Sequence, residues 1–308
     1  MTRRWLKAFG YLVSGAVTLI LVAAAAVYGF SEARYRKHYD VALRPVAIPT
    51  DSASLARGSH LVRSFGGCIE CHGENLAGKV VVDDPAMGRL YAPNLTRGKG
   101  GVGGARSDAD LVRAIRHGVG PTGHALVLMP SMDYVHFTES DLADVVAYVK
   151  SVPPVDNVQP AVSVGPVARA LMLAGKMPLL NAERIDHTKP TPTGVTPAVT
   201  AEYGSYIAQI GCTGCHGPRL SGGRIETGPP DWPSAANLTP AGRMKDWSDG
   251  QLASFFRTGL RPDGSLVNAV MPIRLTKNFT DDEIGALTLY LRSLPPVPTP
   301  GLPQTASR

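Results

Sequence analysis

The chain has 308 residues, 44% of them hydrophobic, and a formal charge of +6, enough length for two domains that each bury a core. Six of the 31 Lys and Arg lie in residues 1–37 beside one acid, Glu32, leaving 25 bases against 24 acids in the rest. The basic character therefore belongs to the N-terminus, which excludes the broad basic face of a nucleic-acid binder.

Between Lys7 and Ser31 runs AFGYLVSGAVTLILVAAAAVYGF, 23 residues without a charge; about 20 suffice to cross a bilayer as a helix. A cleaved signal has a shorter apolar core of roughly 7–15 residues. Residues 1–37 are accordingly expected to be an uncleaved membrane anchor, with a signal peptide as the alternative. Three bases on either side leave its orientation open. Residues 38–53, containing LRPVAIPTDS, read as a spacer.

Two units then follow, 54–155 and 200–297, separated by a linker over 156–199 and followed by a loose tail over 298–308. The linker is rich in Pro, Thr and Val around one short apolar helix in ARALMLAGKMPLLNAERI. Helix signals recur in register in both units. ASLARGSHLVRSFGG and AEYGSYIAQIG lead into the first landmark of each, and Ser107 and Ser248 stand as caps before apolar positions. Thr138 and Thr280 precede Asp141 and Glu283 at capping-box distance. Leu142, Val145, Val146 and Val149, with Ile284, Leu287 and Leu291, mark one apolar helix face that stops before Pro-Pro. Strand-like alternation is scarce, so the expected fold class is mostly α: an N-terminal transmembrane helix followed by two tandem helical domains.

The units are duplicates. APNLT at 92–96 answers AANLT at 235–239, SDADLVRAIRHGV at 107–119 answers SDGQLASFFRTGL at 248–260, and the MP segment from Met129 answers that from Met271. The offset stays between 141 and 144 residues, the signature of an internal repeat.

All four cysteines fall in two like stretches, CIECH and CTGCH: Cys68, Cys71 and His72, then Cys212, Cys215 and His216. C-x-x-C-H is the attachment sequence of c-type haem. Each thiol adds to a porphyrin vinyl, one turn of chain spans the two vinyls, and the next residue falls under the ring as the proximal iron ligand. A four-cysteine zinc site would use both C-x-x-C pairs but not the His behind each. A disulfide or thioredoxin-like pair explains neither that His nor the missing strand-helix-strand pattern.

A sixth ligand should recur at the same place in both copies. Met129, 57 residues after His72, and Met271, 55 after His216, satisfy this. Met132 faces Arg274, His117 faces Thr258, His124 faces Ser265 and His136 faces Asn278, so none of these is paired. His/Met ligation raises the reduction potential and leaves no open iron position. Asn94 and Asn237, with Thr96 and Thr239, are placed either for contacts to haem propionates or for turn-making. Arg116 and Arg257 fit either propionate pairing or a solvated helix face, and Tyr91 and Trp247 either a haem crevice or plain core.

With CxxCHG, NLT, SDADLVRAIRHGV, MP and SDLADVVAYVKSVPPV, the chain resembles a membrane-anchored dihaem member of the class I cytochrome c family. The likeness covers both repeats and is similar to the haem domains in cytochrome subunits of periplasmic alcohol, gluconate and related dehydrogenases. Those subunits often carry three haems, whereas two motifs stand here. The resemblance implies two covalently bound haem c groups and electron transfer in a bacterial respiratory or periplasmic dehydrogenase chain. It further implies a dehydrogenase or other redox protein as partner, and quinone or a terminal oxidase as acceptor. Haem is attached outside the cytoplasmic membrane, so the domains are expected on the periplasmic or outer face of a single-pass inner-membrane protein. The alternatives are a dihaem subunit of a haem-copper oxidase, and a dihaem peroxidase-type or sulfur-compound oxidoreductase. Peroxide chemistry needs an iron that opens and nearby acid-base groups, against which two matched methionines argue.

Overall fold

The structure, a computed structural model, describes residues 2–226, 228–229 and 231–301; most of the expected tail lies outside the described residues. A long helix, α1 (Thr2–Tyr35), carries the uncharged stretch. From Arg3 onward its side chains are exposed, apart from half-buried Val27, until it reaches Ser31, which is buried. The first repeat contains α2 (Ser52–Arg63), a single turn α3 (Ile69–His72), strands β1 (Lys79–Asp84) and β2 (Gly88–Ala92), α4 (Asp108–His117), a turn α5 (Ser131–Tyr134) and α6 (Glu139–Ser151). The linker supplies β3 (Ser163–Val164), α7 (Pro166–Leu173) and a 3-10 turn at Asn181–Arg184. The second repeat contains α8 (Ala201–Gly211), α9 (Thr213–His216), α10 (Asp249–Thr258), α11 (Ile273–Thr276) and α12 (Asp281–Ser293).

One small antiparallel sheet, in the order β1-β2-β3, lies among the helices of a fold that is mostly α, as expected. The run Val80-Val81-Val82 suits a pleated surface, and the Asp84 carboxylate closes the turn by accepting the N–H groups of Ala86 and Met87. Recurrence did not reveal the sheet, because the equivalent stretch of the second repeat, which is of nearly equal length, forms no strand among its described residues.

The helix ends follow the sequence closely. Ser107, Ser248 and Thr280 form complete capping boxes, each satisfying donors that the first helical turn leaves unpaired. Thr138 caps α6 by accepting from Asp141 N–H, but the Asp141 carboxylate is turned elsewhere. In each repeat the first helix crosses the last at a glycine. A Cβ on Gly58 would overlap the Asp144 carbonyl oxygen, and one on Gly204 the Ala286 carbonyl oxygen. Only Gly lets the two backbones meet there. The predicted apolar faces, Leu142, Val145, Val146, Val149 and Ile284, Leu287, Leu291, are all buried beneath these crossings.

Matching the crossing glycines pairs Arg57 with Tyr203 and His60 with Tyr206, and these four residues join the repeats about a pseudo-twofold axis. Arg57 donates to both Asp141 oxygens (2.9 Å each) and Tyr203 donates to Glu283 (3.1 Å), each within its own repeat. Across the axis, Tyr206 donates to Asp141 (2.6 Å) and His60 Nε2 to Glu283 (2.8 Å), while Arg57 reaches the Tyr203 hydroxyl (3.3 Å). Burial works against an ionised Glu283, but the His60 hydrogen bond and charge, the Thr280 N–H and the charge of Arg57 together outweigh it and hold the carboxyl below its ordinary range. Phe65, Tyr206 and Phe279 pack edge-on around this polar centre, so both repeats share one core.

The linker fastens the anchor. Arg34 pairs with Glu183 and donates to the Met172 carbonyl (2.9 Å), and Arg169 lies over the rings of Tyr28 and Tyr35 (4.9 Å each). The spacer is ordered as well, with Tyr39 buried and its N–H on the Gly123 carbonyl (2.8 Å).

Candidate haem centres

The two cysteine turns are built alike. Cys68 O accepts from the N–H groups of Cys71 (3.3 Å) and His72 (2.9 Å), and Cys212 O from those of Cys215 (3.2 Å) and His216 (2.9 Å). One turn thus carries two thiols and, next to them, an imidazole. Gly73 (φ 80°) and Gly217 (φ 78°) end the turns in a conformation that suits Gly. Three residues further on, Leu76 (φ 57°) and Leu220 (φ 55°) hold left-handed backbone without being Gly, both fully buried. That conformation costs on the order of 1–2 kcal/mol, and the surrounding bonds sustain it. Leu95 N–H donates to Leu76 O and Leu238 N–H to Leu220 O, at 2.8 Å each. These two leucines position the loop opposite the histidine and were missed in the sequence, although GENLAG and GPRLSG show them at one register.

His72 Nδ1 donates to the Pro93 carbonyl (2.9 Å), and His216 Nδ1 to the Ala236 carbonyl (2.8 Å). With Nδ1 engaged, Nε2 is the nitrogen left to bind a metal, and the carbonyl fixes the ring's orientation and basicity. Burial lowers the pKa of both imidazoles, keeping them neutral as a ligand must be. All four cysteines are free thiols. Burial pushes Cys68 and Cys212 up to about 12, and raises Cys71 and Cys215 as well.

Asn94 and Asn237 build the loop that supplies those carbonyls. The Asn94 amide donates to Val155 O (2.7 Å) and accepts from Thr96 N–H (2.9 Å); the Asn237 amide donates to Val297 O (2.7 Å) and accepts from Thr239 N–H (2.9 Å). Asn157 O and Thr299 Oγ1 take the remaining amide contact. Both side chains are thus spent on chain atoms, which is the turn-making role. Arg116 is buried rather than solvated and donates to Val135 O (2.9 Å) and Pro190 O (3.1 Å). Arg257 donates to Phe279 O (3.1 Å) and pairs with Asp281. Tyr91 lies half-buried on β2, and Trp247 packs edge-on against Phe255.

Met129 and Met271 stand at matching places, each directly before the proline that starts α5 or α11, with its carbonyl taken by the N–H of Ser131 or Ile273 (2.8 Å each). Met129 packs against the shared core. Among the described residues no three His, Cys, Asp or Glu side chains converge as a metal cluster, so the four cysteines do not assemble a zinc site. Paired thiols, an imidazole with free Nε2 and a matched thioether in each repeat are the donor set of haem c.

A profile of the cytochrome c family matches residues 55–153 and 201–295. The chain is similar to the cytochrome c subunit of a quinone alcohol dehydrogenase from Gluconacetobacter polyoxogenes, 31% identical over 278 residues, covering 80% of this chain and 57% of that protein. A diheme cytochrome c-type protein of Cereibacter sphaeroides is 28% identical over 263 residues, covering 75% of this chain and 83% of its own length. The gluconate 2-dehydrogenase cytochrome c subunit of Pantoea cypripedii is 27% identical over 283 residues, with 79% and 60% covered. The chain therefore spans little more than half of the alcohol dehydrogenase subunit. With both attachment turns falling inside the matched ranges, the chain belongs to the cytochrome c family.

Proposed function

We propose that the chain is a membrane-anchored dihaem electron carrier, one haem c on each repeat. The observation that carries this reading is the duplicated turn in which Cys68, Cys71 and His72, and again Cys212, Cys215 and His216, present two thiols and a carbonyl-tied imidazole. When bound, haem iron supplies a one-electron redox change at a potential set by its axial ligands and surroundings. The cysteines would hold the group in place, and His72 and His216 would offer Nε2, and Met129 and Met271 their sulfur, to its iron. Asn94 and Asn237 keep the loops behind the histidines rigid. Two thioether ligands leave no open position for a substrate, which favours transfer over peroxide chemistry. α1 crosses the inner membrane once with the haem domains on the periplasmic or outer face. The relatives that are dehydrogenase cytochrome subunits support a dehydrogenase catalytic subunit as electron donor; quinone or a terminal oxidase is the acceptor in this reading.

The test is to count haem by pyridine haemochrome and record near-infrared spectra of the oxidised full-length protein. The expected result is two covalent haems per chain, both with the long-wavelength sulfur-to-iron band. Met271→His removes that band from one haem only and lowers its potential. A single haem per chain, or a wild-type haem that lacks the band and binds carbon monoxide, overturns the reading.

A further inference from the structure

Each repeat builds the same hairpin ahead of its methionine. In the first, Gly120 N–H bonds to His124 O (2.8 Å) and Leu126 N–H to Gly118 O (2.7 Å). In the second, Arg261 N–H bonds to Ser265 O (2.9 Å) and Val267 N–H to Gly259 O (2.8 Å). The two differ in what lies on them. The first is covered by the chain's own linker: Leu128 N–H donates to Leu179 O, Leu180 bridges to Val127, and the Asn181 amide donates to Met129 O (2.8 Å). Val119 is fully buried there, at 0% exposure. No such segment lies on the second hairpin among the described residues. Leu260 and Leu266, at the places of Val119 and Ala125, are 43% and 69% exposed.

The second hairpin is stable without a cover, because the Asn268 side chain takes the Val270 N–H (2.9 Å), the counterpart of the group that the first repeat gives to Leu179. What remains unpartnered is apolar. A groove of about 420 Å³ runs along the loop, lined by Leu266, Val267, Val270, Met271 and Ile273 and walled by the ion pair of Glu70 and Arg274. The open hairpin also carries larger apolar side chains than the covered one, Leu for Val and Leu for Ala. Water alone favours the reverse, and an apolar patch with a polar rim marks an interaction site.

We infer that this groove is the docking site for the electron-donating partner, an apolar segment of the dehydrogenase catalytic subunit that fills the place Leu179–Ala182 fills in the first repeat. The inference rests on the electron-carrier reading above and goes beyond it by assigning the entry point to the second repeat. The first repeat shows what chemistry fits such a groove: paired aliphatic residues followed by an amide that donates to the methionine carbonyl. The charged residues that line the groove, Glu70 and Arg274, pair with each other, so apolar fit rather than net charge selects what docks there. A partner seated there rests on the loop that carries Met271. The equivalent loop of the first repeat is sealed by a linker fastened to the anchor.

The test uses the full-length chain in its native membranes, purified with whatever complex it forms, and compares wild type with Leu266→Asp and, as a control, Thr122→Asp on the first hairpin. In the wild-type complex the expected result is slowed amide exchange over residues 259–274 relative to the chain alone. Leu266→Asp should cut substrate-driven haem reduction at least tenfold, with dithionite reduction, haem content and spectra unchanged, and Thr122→Asp should leave the rate alone. If the dehydrogenase subunit copurifies but the groove stays unprotected, or Leu266→Asp transfers at the wild-type rate, the docking site is wrong and the carrier reading stands. Protection that arises from a second copy of this chain overturns the docking site too. If no dehydrogenase subunit copurifies with wild type, the donor assignment falls and the docking site falls with it.

Discussion

One hairpin serves two ends in this molecule. In the first repeat it is an internal joint, pinned between the spacer and the linker; in the second it faces solvent and carries two exposed leucines. Sequence similarity between the repeats is equally clear on both sides, so what separates them is not the loop but the chain that passes over it. Buried cover makes a position costly to change, whereas an open position is free to serve recognition.

The repeats are bound to each other most firmly at their shared centre, and the largest effects are expected there. Glu283→Ala removes a carboxylate that is 2% exposed and leaves Tyr203 and His60 without their acceptor. Breaking a buried pair costs about 3–5 kcal/mol, to be read by denaturant unfolding of the haem-loaded protein. Asp141→Ala should cost a similar amount; a loss below about 1 kcal/mol for either would break the pseudo-twofold description. Gly58→Ala and Gly204→Ala come next, at about 3 kcal/mol each through overpacking of the helix crossings. Equal losses sharpen the symmetry. The hairpins then separate the repeats: Val119→Ala should cost about 1.5 kcal/mol in lost burial, and Leu260→Ala less than about 0.5 kcal/mol.

The smallest effect is a pH dependence confined to the covered hairpin. His117 and His187 meet through their Nδ1 atoms at 3.0 Å, and His187 Nε2 donates to Ala182 O (3.1 Å). His187 Nδ1 therefore accepts and His117 donates, an arrangement that two protonated rings cannot form. Burial, with His187 adding to it, lowers the His117 pKa to about 4, and burial lowers that of His187 as well. A depressed folded-state pKa means that the neutral form is favoured. The contribution is complete above the ordinary histidine value of about 6.5 and is lost as pH falls toward 4. Amide exchange over residues 181–187 should quicken across that window, and His117→Gln should flatten the response. The second repeat has Thr258 at this place and should show no such change.

Much of the site was legible because its chemistry is written in side chains that occur twice. The cysteine turns, the following histidines, the methionines and the helix caps all announced themselves by recurrence. Other parts lay beyond that method for physical reasons. The acceptors for His72 and His216 are backbone carbonyls of Pro93 and Ala236, and a carbonyl leaves no mark on residue type. The strain at Leu76 and Leu220 belongs to φ, and Leu gives no warning of it. Arg116 reads as a propionate partner or a solvated residue, because its acceptors, the carbonyls of Val135, Phe137 and Pro190, are backbone atoms that only the fold brings to it. The central network escaped because its members differ across the axis, Arg57 against Tyr203 and His60 against Tyr206, so recurrence could not pair them.

That mismatch has a consequence for how such a protein is put together. Two identical first repeats meeting through this face would set Arg57 against Arg57, a pair of guanidiniums with no acceptor between them; closed twofold association forces each residue near the axis to confront its own copy. Joining the halves in one polypeptide removes that constraint. Tyr203 then both accepts from Arg57 and donates to Glu283, a relay that no homodimer of either half can reproduce. The fusion has made each half dependent on the other, so neither would keep its interface as a self-paired module.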